Sequence, residues 1–171
     1  MDLAVATRPV RPDDLSAFYR LWPRLSPDTV YRRFHSPLHT LPPEAVQRFV
    51  TVDHDLRDAV VGLVGDDVVG VARYDRSPGD PTVAEFAILV EDAWQGVGLG
   101  RQLLGELIRL AALRGVRTLT ATVQPDNERV IALIRRLLPR ATFTPDDDVL
   151  AVVSPVGVSA PATPELLPAI P

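Results

Sequence analysis

Apolar residues recur in this chain with two spacings, one for each kind of regular element. Steps of three and four mark helices: Leu15, Phe18, Leu21 and Trp22 follow the start signal Pro12-Asp13-Asp14, and Pro23 stops them. The longest such run is Leu99, Leu103, Leu104, Leu107, Leu110 and Ala111, ended by Gly115 as a C′ residue. Val130, Ile131, Ile134, Leu137 and Leu138 form a third, opened by Pro125-Asp126-Asn127. Two shorter helices are expected over 27–34, with Ser26 as N-cap, and over 42–51, with prolines in the first turn where they are tolerated.

Strands are expected over 4–11, 59–64 and 68–74, the last two joined by the hairpin signal Gly65-Asp66-Asp67. A continuous apolar run, 83–90, reads as a buried strand after a loop at 77–81. In 118–124, Leu119, Ala121 and Val123 alternate with threonines, so one face is apolar and the other hydroxylic. Segments 141–144 and 149–153 can close as a hairpin. Beyond Val153 the chain is rich in Pro, Ala and Val without period, which predicts a domain over 1–153 and an irregular tail over 154–171.

The stretch Gln95-Gly96-Val97-Gly98-Leu99-Gly100 sits where the strand 83–90 hands over to the longest helix. Glycines there let backbone N–H groups turn toward a ligand, and the helix start adds unpaired donors and positive dipole. This is a phosphate or pyrophosphate site. A Walker A loop is excluded because the chain has no lysine, all 18 of its basic residues being arginine. The dinucleotide fingerprint G-x-G-x-x-G is not met, and no acidic residue lies at the distance that would hold a ribose.

The remaining pattern, Q/R-x-x-G-x-G/A, resembles the loop by which the GCN5-related N-acetyltransferases (GNAT) grip the pyrophosphate of coenzyme A. The predicted element order, β-α-α-α-β-β-β-α-β-α-β-β, is similar to theirs across residues 8–153. Within that family the chain resembles the acetyltransferase domain of bacterial Pat-type protein lysine acetyltransferases. The phrases that carry this likeness are Leu25-Ser26-Pro27, Tyr31-Arg32-Arg33-Phe34-His35-Ser36-Pro37, Leu41-Pro42-Pro43-Glu44, Val52-Asp53-His54-Asp55 and Ala84-Glu85-Phe86. The fold it implies is α/β (α+β): a mixed, mostly antiparallel sheet of about seven strands flanked by helices, splayed between the fourth and fifth strands.

The resemblance implies acetyl-CoA as donor and a primary amine as acceptor, either a protein lysine or a small amine such as a polyamine, amino acid or antibiotic. A non-catalytic coenzyme A-binding protein is the third reading. Glu85 is the candidate general base; it stands on an otherwise apolar strand, and partial burial there would raise its pKa toward neutrality. Cofactor contacts are expected from the backbone of Ile88, Leu89 and Val90, from Gln95, Gly96, Val97, Gly98, Leu99 and Gly100, and from Arg101 in the first helical turn. Asn127 matches an asparagine that holds coenzyme A in relatives, and is equally placed to be a helix N-cap. A tyrosine that serves as general acid in many relatives is missing from 130–138, and a thiol of pKa about 8.5 leaves without one.

Composition narrows the chemistry further. With no cysteine, the chain has no disulfide, no thiolate metal site and no acetyl-cysteine intermediate, so transfer must be direct. A net charge of −4 argues against a nucleic-acid partner. The sequence contains no long apolar run to cross a membrane and starts without a signal-peptide pattern, so a cytoplasmic monomer or homodimer is expected. His35, His39 and His54 lack metal-ligand spacing and are read as ordinary polar residues. Asp53, Asp55 and Asp58 form an acidic run that could face a cationic acceptor or simply be a solvated loop.

Overall fold

A computed structural model describes residues 5–157. Its centre is a seven-stranded sheet in the order β1-β2-β3-β4-β5-β7-β6. The strands are β1 (Ala6–Pro9), β2 (Arg57–Val64), β3 (Asp67–Ser77), β4 (Asp80–Val90), β5 (Thr118–Val123), β6 (Thr142–Asp146) and β7 (Val149–Pro155). All neighbours are antiparallel except β4 and β5, which run parallel. The helices are α1 (Leu15–Leu21), α2 (Pro27–Phe34), α3 (Pro43–Val50), α4 (Leu99–Leu113) and α5 (Glu128–Leu137). This is the element order and sheet type that the sequence predicts.

Two apolar clusters hold the layers together, one on each face of the sheet. On one face Leu99, Leu103, Leu104, Leu107 and Ala111 of α4, with Ile134 of α5, bury against Ala72, Tyr74, Ala84, Phe86, Leu119, Ala121 and Val123. On the other, Ala17, Phe18 and Leu21 of α1 and Val46, Phe49 and Val50 of α3 cover Val61, Val71 and Leu89. Gly62 and Gly70 let α4 come close: a Cβ on either would stand 2.9 Å from a Leu99 or Leu103 methyl. The helix lies on its glycine-lined seat because its own leucines fill the space.

Several boundaries differ from the sequence reading. The β3–β4 hairpin is longer than expected, with Ser77 paired to Asp80 across a two-residue turn where a loop over 77–81 was predicted. Polar residues at its tip obscured the strand, yet the backbone ladder needs no apolar side chains. Strand β7 runs past Val153, since Ser154 pairs with Leu119 and Pro155 with Thr118. The Val156 amide then donates to Arg117 O, 2.7 Å. Proline is tolerated at the last rung, where its missing N–H breaks no further ladder bond. Ser154 and Pro155, assigned to the tail by the sequence, thus belong to β7, and residues 158–171 lie outside the described ones.

Candidate active site

The parallel β4–β5 ladder is short. It joins Val83 to Thr118, Ala84 to Leu119 and Glu85 to Thr120, and there it stops. Beyond that rung β4 continues to Val90 and β5 to Val123 without pairing, so the sheet opens into a wedge. Glu91 N–H donates to Val69 O, 2.9 Å, which fixes the alternation of β4. By that alternation Leu89 bonds to β3, and the peptide groups of Ile88 and Val90 face the wedge.

Glu85 stands at the apex. Its neighbours Ala84 and Phe86 are buried under α4, so the Glu85 side chain is on the opposite face. Asp75 lies directly across on β3 and Thr120 across on β5. Glu85 is exposed and not partly buried as expected, because neither α1 nor α3 extends over this part of the sheet. It accepts no hydrogen bond and makes no ion pair among the described residues. Asp75, by contrast, is held by Arg73 (2.9 Å) and Arg57 (3.2 Å).

The glycine loop caps the wide end of the wedge. Gly96 and Gly98 have φ 76° and 94°, conformations that L-residues avoid. Gly98 is the N-cap of α4, and the first bond of the helix runs from Gln102 N–H to Gly98 O, 3.1 Å. The amides of Leu99, Gly100 and Arg101 are therefore outside the helical ladder. Gly100 sits against the wedge: a Cβ there would lie 3.7 Å from Ile88 Cδ1 and 3.6 Å from Leu133 Cδ2 of α5. Val97 and Arg101 are exposed, while Leu99 is buried beneath the sheet as a packing residue. Leu89 likewise turns its side chain into the α1–α3 cluster, away from the wedge.

Helix α2 roofs the opening through side chains that sequence reasoning did not single out as a site. Ser26 caps α2, accepting from Thr29 N–H at 3.1 Å as expected, and its hydroxyl donates to Asp92, 2.6 Å. Asp92 also accepts from the Ser26 amide (2.9 Å) and the Thr29 hydroxyl (2.9 Å). Burial is the largest influence on Asp92 and opposes its ionisation. The donors from Ser26 and Thr29 together outweigh it and hold the carboxyl below its ordinary range. Gln95 donates to Thr29 Oγ1 and to Val90 O, each at 3.0 Å, and accepts from Arg129 of α5 at 3.3 Å. Arg32 bridges to Asp126 ahead of α5 (3.0 Å), and Gln124 contacts His35 Nδ1 (2.9 Å). Apart from the Ser26 cap and the Gln95–Val90 bond, these bonds join positions 34 to 94 residues apart, so no local pattern in the sequence could announce them.

Asn127 caps α5, its side chain accepting from Val130 N–H at 3.3 Å. The acidic run is dispersed. Asp53 caps its own turn by accepting from the Asp55 and Arg57 amides, and Asp58 is fully buried against His54, 2.8 Å. It does not form a common acidic face. Tyr74 is buried under α4, and burial foremost raises its hydroxyl pKa, so it has no path to the wedge as an acid. A depression of about 820 Å³ between α1 and the β2–β3 turn lies elsewhere; its Asp14 and Asp67 are already paired with Arg8 and Arg20.

A wedge in a sheet, a cap of bare amides at a helix start and an apical glutamate fit a long ligand with a diphosphate at one end and a reactive acyl group at the other. The family comparison agrees: the model of the Acetyltransferase (GNAT) family matches residues 13–138. The chain belongs to the GNAT acetyltransferase family. Membership carries acetyl transfer as the family's reaction. The chain is similar to the acetyltransferase Pat of Mycolicibacterium smegmatis, 34% identical over 134 residues, which are 76% of this chain and 39% of Pat. It thus spans well under half the length of that relative. Among solved structures, the GNAT domain of S. lividans PAT superposes with a TM-score of 0.80 at 28% identity, covering 88% of this chain and 90% of that one. YncA from Salmonella typhimurium, solved with its cofactor acetyl-CoA, shares the fold at a TM-score of 0.73 and 21% identity, covering 94% of this chain and 99% of its own.

The residues present fit that donor. Gly96 and Gly98 adopt a backbone that a Cβ would strain, the α4 amides are open to a diphosphate, and the wedge edge offers the Ile88 and Val90 peptide groups. No helix among the described residues is long and apolar enough to cross a membrane.

Proposed function

We propose that this chain transfers the acetyl group of acetyl-CoA directly to the ε-amine of a protein lysine, with Glu85 as general base. The observation that carries the reading is the place of Glu85, at the last rung before the strands part and on the face open to an acceptor. The diphosphate sits on the amides of 96–101, and the pantetheine arm follows the β4 edge at Ile88 and Val90. Gln95 shapes this path from beneath, its side chain already committed to Val90 O and Thr29. Asn127 serves by capping α5 beside the wedge.

A lysine ammonium, pKa near 10.4, must lose a proton before it attacks. Glu85 accepts that proton, the nitrogen bonds to the thioester carbonyl carbon, and the carbon–sulfur bond breaks. A peptide N–H on the wedge edge stabilises the oxyanion formed between these steps. The second proton, on the nitrogen once it has bonded to carbon, passes to water or to the departing thiolate, so no side-chain acid is needed, consistent with the absence of a tyrosine in α5. The resemblance of its sequence phrases to Pat-type protein lysine acetyltransferases supports a protein lysine as acceptor.

The test is Glu85→Gln. Acetyl transfer should fall by about 10²–10⁴-fold while calorimetry shows unchanged coenzyme A affinity. Undiminished transfer by this variant would overturn the assignment of the base.

A further inference from the structure

The first turn of α5 carries an arginine where helices disfavour one. Arg129 is the second residue of α5, and the N-terminal end of a helix bears the positive end of its dipole. No carboxylate offsets this. Arg129 makes no ion pair among the described residues; Glu128 precedes it directly and so does not share its helix face, and Asp126 is held by Arg32 at 3.0 Å. Its one hydrogen bond among the described residues runs from Nη1 to the side-chain oxygen of Gln95, 3.3 Å, long for such a bond and made to a neutral acceptor. Arg135, further along α5, lies over the Phe143 ring at 5.1 Å instead.

Two contacts fix where Arg129 stands. Gln95 immediately precedes the glycine loop, and its amide also donates to Val90 O, so the guanidinium is moored at the wide end of the wedge. Leu133 lies one turn along the same face of α5 and packs at Gly100, 3.6 Å from where a Cβ would be. Helix α5 therefore runs beside the loop, with Leu133 against Gly100 and Arg129 against Gln95. The unbonded amides of Leu99, Gly100 and Arg101 and the exposed Arg129 guanidinium lie at the same opening. An anion is what both lack: a phosphate would accept from the amides and also offer the guanidinium fork a charged, two-pronged partner in place of one amide oxygen.

We propose that Arg129 binds a phosphate of the donor, exchanging its bond to Gln95 for that contact and so clamping coenzyme A from the α5 side of the wedge. The inference rests on the donor path proposed above and adds to it a residue from the far block of the sheet. The phosphate can belong to the diphosphate or to the ribose 3′-phosphate.

The experiment is titration calorimetry of coenzyme A and of dephospho-coenzyme A, which lacks the 3′-phosphate, on the full chain and on Arg129→Gln. The variant should bind coenzyme A about 10-fold or more weakly, the usual worth of a charge-assisted bond. The gap between variant and parent should narrow as sodium chloride is raised, because an exposed charge contact is screened. A loss with both ligands assigns the diphosphate, and a loss with coenzyme A alone assigns the 3′-phosphate. An Arg129→Gln variant that binds coenzyme A as tightly as the parent overturns the inference. So does a deficit that salt leaves unchanged, since Arg129 would then act only as a tie to Gln95. The readout needs neither an acceptor nor Glu85, so the inference survives a failure of the base assignment. If the unmodified chain gives no heat with coenzyme A, the donor path itself fails and takes the inference with it.

Discussion

Replacing Gly98 by alanine isolates the contribution of backbone shape to the diphosphate site. Gly98 holds φ 94° and ψ −5°, and a Cβ built there meets no heavy atom within 4 Å. Sterics with neighbours are therefore absent, and the whole effect is conformational. Left-handed geometry costs an L-residue about 1–2 kcal/mol. If the loop keeps its shape, that amount is lost from folding stability. If it relaxes instead, coenzyme A must restore the shape on binding, and affinity falls by about 5–30-fold at tenfold per 1.4 kcal/mol. The two losses share one energy, so urea unfolding and titration calorimetry on the same preparation should account for it between them. Gly105→Ala is the internal control. It lies within α4, its added Cβ also meets nothing within 4 Å, and its φ is not positive. There the substitution should stabilise by about 0.5–1 kcal/mol and leave binding alone. A Gly98→Ala variant equal to the parent in both stability and affinity would refute the argument.

Gly70→Ala tests the seat of α4: its Cβ would stand 2.9 Å from Leu103 Cδ1 and 3.2 Å from Leu89 O. Urea unfolding should show a loss of about 1–3 kcal/mol from overpacking. Asp92 gives a pH prediction. Its folded pKa lies below the ordinary 3.8, so its stabilisation is present above that value and is lost as pH falls through the folded one. Asp92→Asn should therefore be less stable than the parent near neutrality, with the difference shrinking as the pH drops below about 4. A difference that holds constant down to the lowest pH would remove Asp92 as an ionised clamp.

The parts of this molecule written in short-range patterns could be read from the sequence. The leucines of α4 announce a helix, and Leu119, Ala121 and Val123 a half-buried strand, because one buried face imposes one period. The shape of the glycine loop was legible for a similar reason, since glycines at a strand-to-helix junction announce a backbone with positive φ, as Gly96 and Gly98 have. Burial of Glu85 was misjudged because apolar neighbours in sequence lie on both sides of a strand, while the cover over each side comes from distant helices. The α2 roof was illegible altogether. Asp92 and Gln95 come from the β4–α4 connection, Thr29 from α2 and Arg129 from α5, and only the folded chain brings them together.

The short parallel ladder has a mechanical consequence. Among the described residues, three rungs and the bond from Arg117 N–H to Thr82 O, 2.7 Å, are all the backbone bonding that ties the block β1–β4 to the block β5–β7. The remaining fastening is made of side chains, among them Arg32 with Asp126 and Gln95 with Arg129. A molecule lying in the wedge, as proposed for the donor, would finish a seam that the polypeptide leaves unsewn and serve as a temporary strand of the sheet. The Ile88 and Val90 amides, open to deuterium in the free chain, should exchange slowly once the donor is seated.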